Sequence, residues 1–177
     1  MEIRGTTIIA VRRNGQIAVA GDGQVTVGEK YIAKSNAVKV RRIYDDKVVI
    51  GFAGATADAF NLAEKFEKML KKHSGNLMRA SVELAQLWRS DKGLKELNAH
   101  MIVANKDNMF WLTGVGDVFE PENDIIEIGS GGAYAKAAAL AMLQNTELSA
   151  KEIAVKAIEI AGTMCVFTNN HITVEEV

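Results

Sequence analysis

Thr7-Ile8-Ile9-Ala10-Val11-Arg12-Arg13-Asn14-Gly15-Gln16-Ile17-Ala18-Val19-Ala20 is two apolar runs joined by an asparagine-glycine pair. Asn and Gly both tolerate positive φ, which a tight turn between right-twisted strands requires. Thr7–Arg12 and Gln16–Ala20 are therefore expected to pair antiparallel. Val and Ile remain abundant as far as Ala53, with Gly21-Asp22-Gly23 and Asp45-Asp46 as punctuation, so further short strands are expected to continue the same sheet.

Beyond Gly54 the period changes. Ala59, Leu62, Ala63, Phe66, Met69 and Leu70 recur at helical steps, Gly75 is placed to end that helix, and a second helix is expected from Leu77 to Trp88. Strand character returns at Ala99–Ala104 and Met109–Thr113 across the polar turn Asn105-Lys106-Asp107-Asn108, which reads as a second sheet. Ala133 to Leu143 is alanine-rich and helical by propensity. Ser149-Ala150-Lys151-Glu152 has the spacing of a capping box, and Ile153, Ala154, Ala157, Ile158 and Ala161 form the buried stripe of the helix it starts. With a short strand near Ile172–Val174, the order predicts an α+β domain of sheets packed together with helices outside.

A chain of 177 residues, 48% hydrophobic and 24% charged, is the size of one globular domain with a substantial core. The 21 basic residues are balanced by 22 acidic ones, which removes the general electrostatic reason for binding nucleic acid or an anionic membrane. Cys165 has no second cysteine to pair with. Near the N-terminus there is no apolar stretch long enough for a secretory signal or a membrane span, so the cytoplasm is the expected compartment.

Gly5-Thr6-Thr7 carries the most specific chemistry. A threonine hydroxyl is a poor nucleophile unless a base lies within reach of its proton, and an α-amine on the same residue can be that base, with an unperturbed pKa of about 7.7–8.0. Cleavage after Gly5 would create such a residue, with Met1 to Gly5 as a propeptide and residues 6–177 as the working domain. The alternative is a leader before an ordinary strand. Gly21-Asp22-Gly23 places a carboxylate at a strand end, although Asp-Gly pairs are more often simple turns. Lys39 alternates with Val38 and Val40 and is either a solvated cation or an inward one held protonated by Asp22; an inward cation near Thr6 would lower the pKa of an amine there. Gly51, between a strand and a helix, is either a main-chain oxyanion donor or a glycine required by packing. Ser130, in Ile128-Gly129-Ser130-Gly131-Gly132, could itself be the nucleophile of a serine hydrolase, but Ile128 stands where the strand-to-helix elbow of such enzymes needs glycine. There is no P-loop lysine motif and no H-E-x-x-H, and His73, His100 and His171 are scattered, so ATP hydrolysis is not expected. A ring-forming scaffold that is never processed is the non-enzymatic alternative.

Thr6-Thr7, Arg12-Arg13-Asn14-Gly15, Ala20-Gly21-Asp22-Gly23-Gln24, Lys39-Val40-Arg41-Arg42, Gly51-Phe52-Ala53-Gly54, Thr56-Ala57-Asp58-Ala59, Ile128-Gly129-Ser130-Gly131-Gly132 and Asn145-Thr146-Glu147-Leu148-Ser149-Ala150, taken together and in order, resemble the HslV (ClpQ) family of bacterial proteasome-like peptidases over essentially the whole chain. The resemblance implies the N-terminal-nucleophile hydrolase fold, a four-layer αββα sandwich of two antiparallel sheets flanked by helices, and two stacked hexameric rings enclosing the active sites. It also implies Thr6 as nucleophile, its freed amine as base, Lys39 and Asp22 as the charged pair tuning that amine, Gly51 as oxyanion donor and Ser130 as a supporting residue. The family works with HslU, a separate AAA+ unfoldase that consumes ATP, delivers unfolded polypeptide and activates the peptidase. Family members further bind a monovalent cation, assigned as sodium, through the loop matching Gly162, Cys165 and Thr168. The spacing of those three is compatible with main-chain carbonyls converging on a hard cation.

Overall fold

The computed structural model describes residues 3–4, 6–28, 30–54, 56–94, 97 and 99–177, with residues 3, 4 and 56–58 described by their backbone alone. Met1, Glu2 and Gly5 of the expected propeptide lie outside the described residues. In chain order the elements are β1 (Ile3–Arg4), β2 (Thr7–Arg13), β3 (Gln16–Gly21), β4 (Val25–Val27), β5 (Tyr31–Lys34), β6 (Val40–Ile43), β7 (Val48–Ala53), α1 (Thr56–Lys72) and α2 (Leu77–Ser90). Then follow β8 (His100–Ala104), β9 (Met109–Thr113), β10 (Val118–Phe119), β11 (Ile125–Gly129), α3 (Gly132–Asn145), α4 (Ala150–Met164) and β12 (Thr173–Glu176).

The expected hairpin forms. β2 and β3 pair antiparallel from Ile8↔Gly21 to Arg13↔Gln16, with Asn14 at φ 52° and Gly15 at φ 77° carrying the turn. The strands that follow do not continue that sheet, contrary to the sequence expectation. One edge of the hairpin is taken by β11 and the other by β12, giving the order β11-β2-β3-β12, so β6 and β7 have no free edge there and join a second sheet in the order β10-β9-β8-β7-β6. β4 and β5 form a small third sheet with β1, which pairs antiparallel with β4 at Ile3↔Val27 and Arg4↔Thr26.

Alternation along β2 and β3 explains the layering, because successive side chains point to opposite faces. Ile8, Ala10, Ile17 and Val19 face the second sheet at Val40, Val49, Ile102 and Ala104. Their neighbours Ile9, Val11, Ala18 and Ala20 face α3 and α4 at Ala135, Ala139, Ile153, Ala157 and Ile158. On the far side, Val48, Ile50 and Phe52 of β7 pack against Leu62, Phe66, Leu70, Leu84 and Trp88 of α1 and α2. Three apolar interfaces thus separate four layers, the αββα sandwich. Both sheets are covered on both faces, so the inner strands β2, β3, β7 and β8 read as nearly continuous apolar runs instead of alternating ones.

Local signals end the helices where expected. After α1, Gly75 at φ +81° donates its N–H to Leu70 O at 2.8 Å, and the Asn76 side chain caps α2 by accepting from Arg79 N at 3.0 Å. Ser149 and Glu152 form the reciprocal capping box of α4. Among the described residues no helix is long and apolar enough to cross a membrane.

Candidate active site

Thr6 is 8% exposed and Thr7 fully buried at the start of β2, beside the end of β3, so hairpin register alone brings Thr7 against Asp22. Asp22 N donates to Thr7 O at 3.1 Å, and Thr7 N donates back to Asp22 Oδ1 at 2.8 Å. The same carboxylate accepts Lys39 Nζ at 2.8 Å on Oδ1, and Gln24 N at 2.9 Å and Asn169 N at 3.3 Å on Oδ2. Four N–H donors thus converge on one buried carboxylate.

Lys39 is the inward cation of the two possibilities read from the sequence. Its side chain is 7% exposed against 0% for Asp22, and Nζ also donates to Gln24 O at 2.5 Å. It does not reach inward by strand alternation as expected. Lys39 precedes β6, and Val40 beside it is buried as well, while only Val38 points outward. The inter-sheet core takes Val40, and the Asp22 carboxylate draws in Lys39. Burial lowers the Lys39 pKa below the usual lysine value, with the charge of Asp22 and its hydrogen bond opposing that shift.

On the other side of Thr6, the turn between β11 and α3 wraps the start of β2. Ser130 N donates to Thr6 O at 2.8 Å, and Gly131 N donates to Thr7 Oγ1 at 3.0 Å. Glycine is required here for two reasons. Gly129 adopts φ +92°, and a Cβ on it would overlap the Thr6 carbonyl; a Cβ on Gly131 would overlap the hydroxyls of Thr7 and Thr168. Ser130 itself is exposed. Two of the histidines are engaged elsewhere: His73 pairs with Glu83, and His100 Nδ1 lies 3.2 Å from Trp111 Nε1.

Gly51 lies in the middle of β7, and a Cβ there would sit 2.8 Å from Ile8 Cγ2. Packing between the sheets therefore requires glycine at this point, and the same contact lays Gly51 against β2 two residues beyond Thr6. Gly162 is in the last turn of α4, Cys165 is its C-cap, and Thr168 follows with its N–H donated to Cys165 O at 3.0 Å. The last carbonyls of a helix lack intrahelical partners and carry the negative end of its dipole, so an oxygen donor set at this position suits a hard cation. Among the described residues no group of three or more His, Cys, Asp or Glu side chains is arranged to hold a metal.

Three residues to which the sequence assigned no role in the site complete it. Thr7 joins the strand to the Gly131 turn and, through its hydroxyl at 2.7 Å, to Thr168 Oγ1. Gln24 donates its side-chain amide to Val166 O at 2.8 Å, and Asn169 binds Gly23 N at 3.1 Å and Ser35 O at 2.8 Å. Only the Thr6-Thr7 doublet gave a hint of the first. The other two act through contacts between segments more than a hundred residues apart.

The sequence pattern of the proteasome subunit family matches residues 3–177. The ATP-dependent protease subunit HslV of Treponema denticola is 58% identical over 176 residues, covering 99% of this chain and 98% of that one. Its namesake from Caldanaerobacter subterraneus subsp. tengcongensis is 56% identical over 172 residues, covering 97% and 98%. Among solved structures, eukaryotic HslV from Trypanosoma brucei superposes with a TM-score of 0.91 at 47% identity, covering 96% of this chain and 98% of that one. BPH from Thiobacillus denitrificans has a TM-score of 0.74 at 18% identity over 97% of both chains, a likeness of fold alone.

Proposed function

Because this chain belongs to the proteasome subunit family, we propose that it is the peptidase subunit of a two-component ATP-dependent protease and hydrolyses unfolded polypeptides with Thr6 as its nucleophile. The observation that carries the reading is the buried Lys39–Asp22 pair, 2.8 Å apart, whose carboxylate also holds the amide of Thr7. A fixed ammonium joined through Asp22 to the residue after Thr6 has a clear use if Thr6 presents an α-amine whose pKa must be kept low.

Processing comes first. The strand Ile3–Arg4 lies antiparallel on β4, an extended approach that suits delivery of the Gly5–Thr6 bond to the threonine hydroxyl. Thr6 Oγ attacks the Gly5 carbonyl carbon, the C–N bond breaks as an ester forms on Oγ, and water hydrolyses the ester. Met1–Gly5 leaves as a carboxylate, and Thr6 keeps a free amine.

Each later turnover repeats the chemistry on a substrate. The amine takes the proton of Oγ, and Oγ adds to the peptide carbonyl. Gly51, the donor expected for the developing oxyanion, lies between Val40 of β6 and Ile102 of β8, where its N–H serves the ladder, so another main-chain N–H near Thr6 has to meet the oxyanion. The ammonium returns its proton to the departing nitrogen. The acyl-enzyme ester is then cleaved by water with the amine again as base, which regenerates the Thr6 hydroxyl. Ser130 orients the amine or the water. A monovalent cation, sodium in the family, would be held by the carbonyls of Gly162, Cys165 and Thr168, where it would neutralise the α4 C-terminus and keep the Thr168 loop compact.

The name shared by the relatives, ATP-dependent protease subunit HslV, supports an ATP-consuming partner, which in the family is the HslU unfoldase. The assembly consistent with this is two stacked hexameric rings in the cytoplasm, with ATP used by the partner and no nucleic acid or membrane bound. Intact mass and N-terminal sequencing of the purified, assembled protein test the reading. A start at Thr6 is expected, and an intact Met1 persisting in assembled rings with the unfoldase and ATP present would favour the unprocessed scaffold.

A pH profile adds a second test. The role of Lys39 requires its ammonium form, and its pKa lies below the usual lysine value. Activity should therefore fall on the alkaline side sooner than an ordinary lysine would dictate. In Lys39→Arg, whose guanidinium stays charged, that alkaline limb should move to higher pH whatever the absolute rate. An unmoved limb would show that another group sets it.

A further inference from the structure

We infer that Thr7 is a positioning residue for the reaction: its hydroxyl locks the nucleophile strand to both the Ser130 turn and the Thr168 loop. The inference rests on Thr6 being the nucleophile. Thr7 is fully buried, so its hydroxyl has no water to turn to, and it meets two partners, Gly131 N at 3.0 Å and Thr168 Oγ1 at 2.7 Å. Accepting from Gly131 leaves its own proton free for Thr168. The main chain on either side is tied as well, since Ser130 N donates to Thr6 O at 2.8 Å and Thr7 N donates to Asp22 Oδ1 at 2.8 Å.

Four segments distant in sequence therefore converge on Thr6 and Thr7: the end of β3, the turn before α3, the loop after α4 and, through Asp22, Lys39. The Thr7 hydroxyl is the side-chain group joining the second and third of these. Gly131 being glycine follows from it, since any Cβ there would overlap both hydroxyls. Loss of this clasp frees the turn that carries Ser130 to shift relative to Thr6, and misplacement of about 1 Å at a reacting centre lowers turnover by up to about a hundredfold.

The test uses Thr7→Val, which keeps the shape and removes the hydroxyl, Thr7→Ser, which keeps the hydroxyl, and Thr168→Val, which removes the partner. Each is assembled with its unfoldase and first checked by mass for a start at Thr6. Thr7→Val should lower kcat by about tenfold to a hundredfold with KM nearly unchanged, and Thr7→Ser should restore most of it. Thr168→Val should give a similar fall, and the double variant should be little worse than either single one. Unchanged kcat in Thr7→Val, or a loss that Thr7→Ser does not restore, would overturn the inference. If Thr7→Val fails to assemble, Thr168→Val decides on the same criterion; if both valine variants fail while Thr7→Ser assembles, the hydroxyl is structural and the inference falls. Thr6→Ala run alongside separates the levels. An active Thr6→Ala protein removes the threonine mechanism itself, whereas an inactive one beside a normal Thr7→Val removes only the positioning role.

Discussion

Thr6→Ala should lower peptide hydrolysis by at least about 10³-fold, because removal of the attacking oxygen leaves only substrate binding and the oxyanion donor to act on bulk water. Thr6 is 8% exposed and its carbonyl is held by Ser130 N, so truncating a small hydroxyl-bearing side chain leaves these main-chain contacts in place. Assembly should survive, and the variant should retain its leader, since the same hydroxyl performs the cleavage. Thr6→Ser should keep a measurable rate, because hydroxyl and amine are both preserved. Ser130→Ala should weaken turnover far less than Thr6→Ala. Initial rates on a fluorogenic peptide with the unfoldase and ATP, read beside intact mass, check all three. A fully active Thr6→Ala protein would return the serine alternative to consideration.

Asp22→Asn should remove both activity and stability. The carboxylate is fully buried and accepts Thr7 N, Gln24 N, Lys39 Nζ and Asn169 N. An amide in its place loses the charge that offsets the Lys39 ammonium and turns an NH₂ toward groups that are themselves donors. Breaking a buried pair by neutralising one partner destabilises by about 3–5 kcal/mol, which urea unfolding would show as a lower midpoint at similar slope. Adding Lys39→Met to Asp22→Asn should recover part of that stability, because the unpaired buried charge is gone, while activity stays lost for want of the cation. A double variant that regains activity would show the pair to be structural scaffolding alone.

How far the sequence could be read depended on whether a feature is local. Asn14-Gly15 specifies its turn by backbone preference alone, and helices α1, α2 and α4 announce themselves through periodic apolar faces, Gly75 and the Ser149–Glu152 box. The pairing of Thr7 with Asp22 was likewise within reach, since hairpin register places the end of β3 beside the start of β2. Sheet membership was not local. β6 and β7 read as a continuation of the hairpin sheet, and it is the arrival of β11 and β12 at both hairpin edges that sends them elsewhere. Lys39 lay in the same gap: alternation with its valines suggested an inward side chain, but what turns it inward is a carboxylate from another sheet.

By itself, then, the sequence determined the hairpin that starts the domain, the helix periods and caps, and the order of motifs that marks the family with Thr6 at its head. These depend on dihedral preferences and contacts within a few residues along the chain, which residue identity sets directly. Only the tertiary structure decided that Gly51 must be glycine because Ile8 presses on it, that Asn169 completes the Asp22 cage, and that the Thr7 hydroxyl clasps Gly131 and Thr168. Such contacts join residues separated by up to 161 positions, and they exist because four layers compress the strand ends and loops into one small volume. Their geometry comes from packing and is written in no single stretch of the chain.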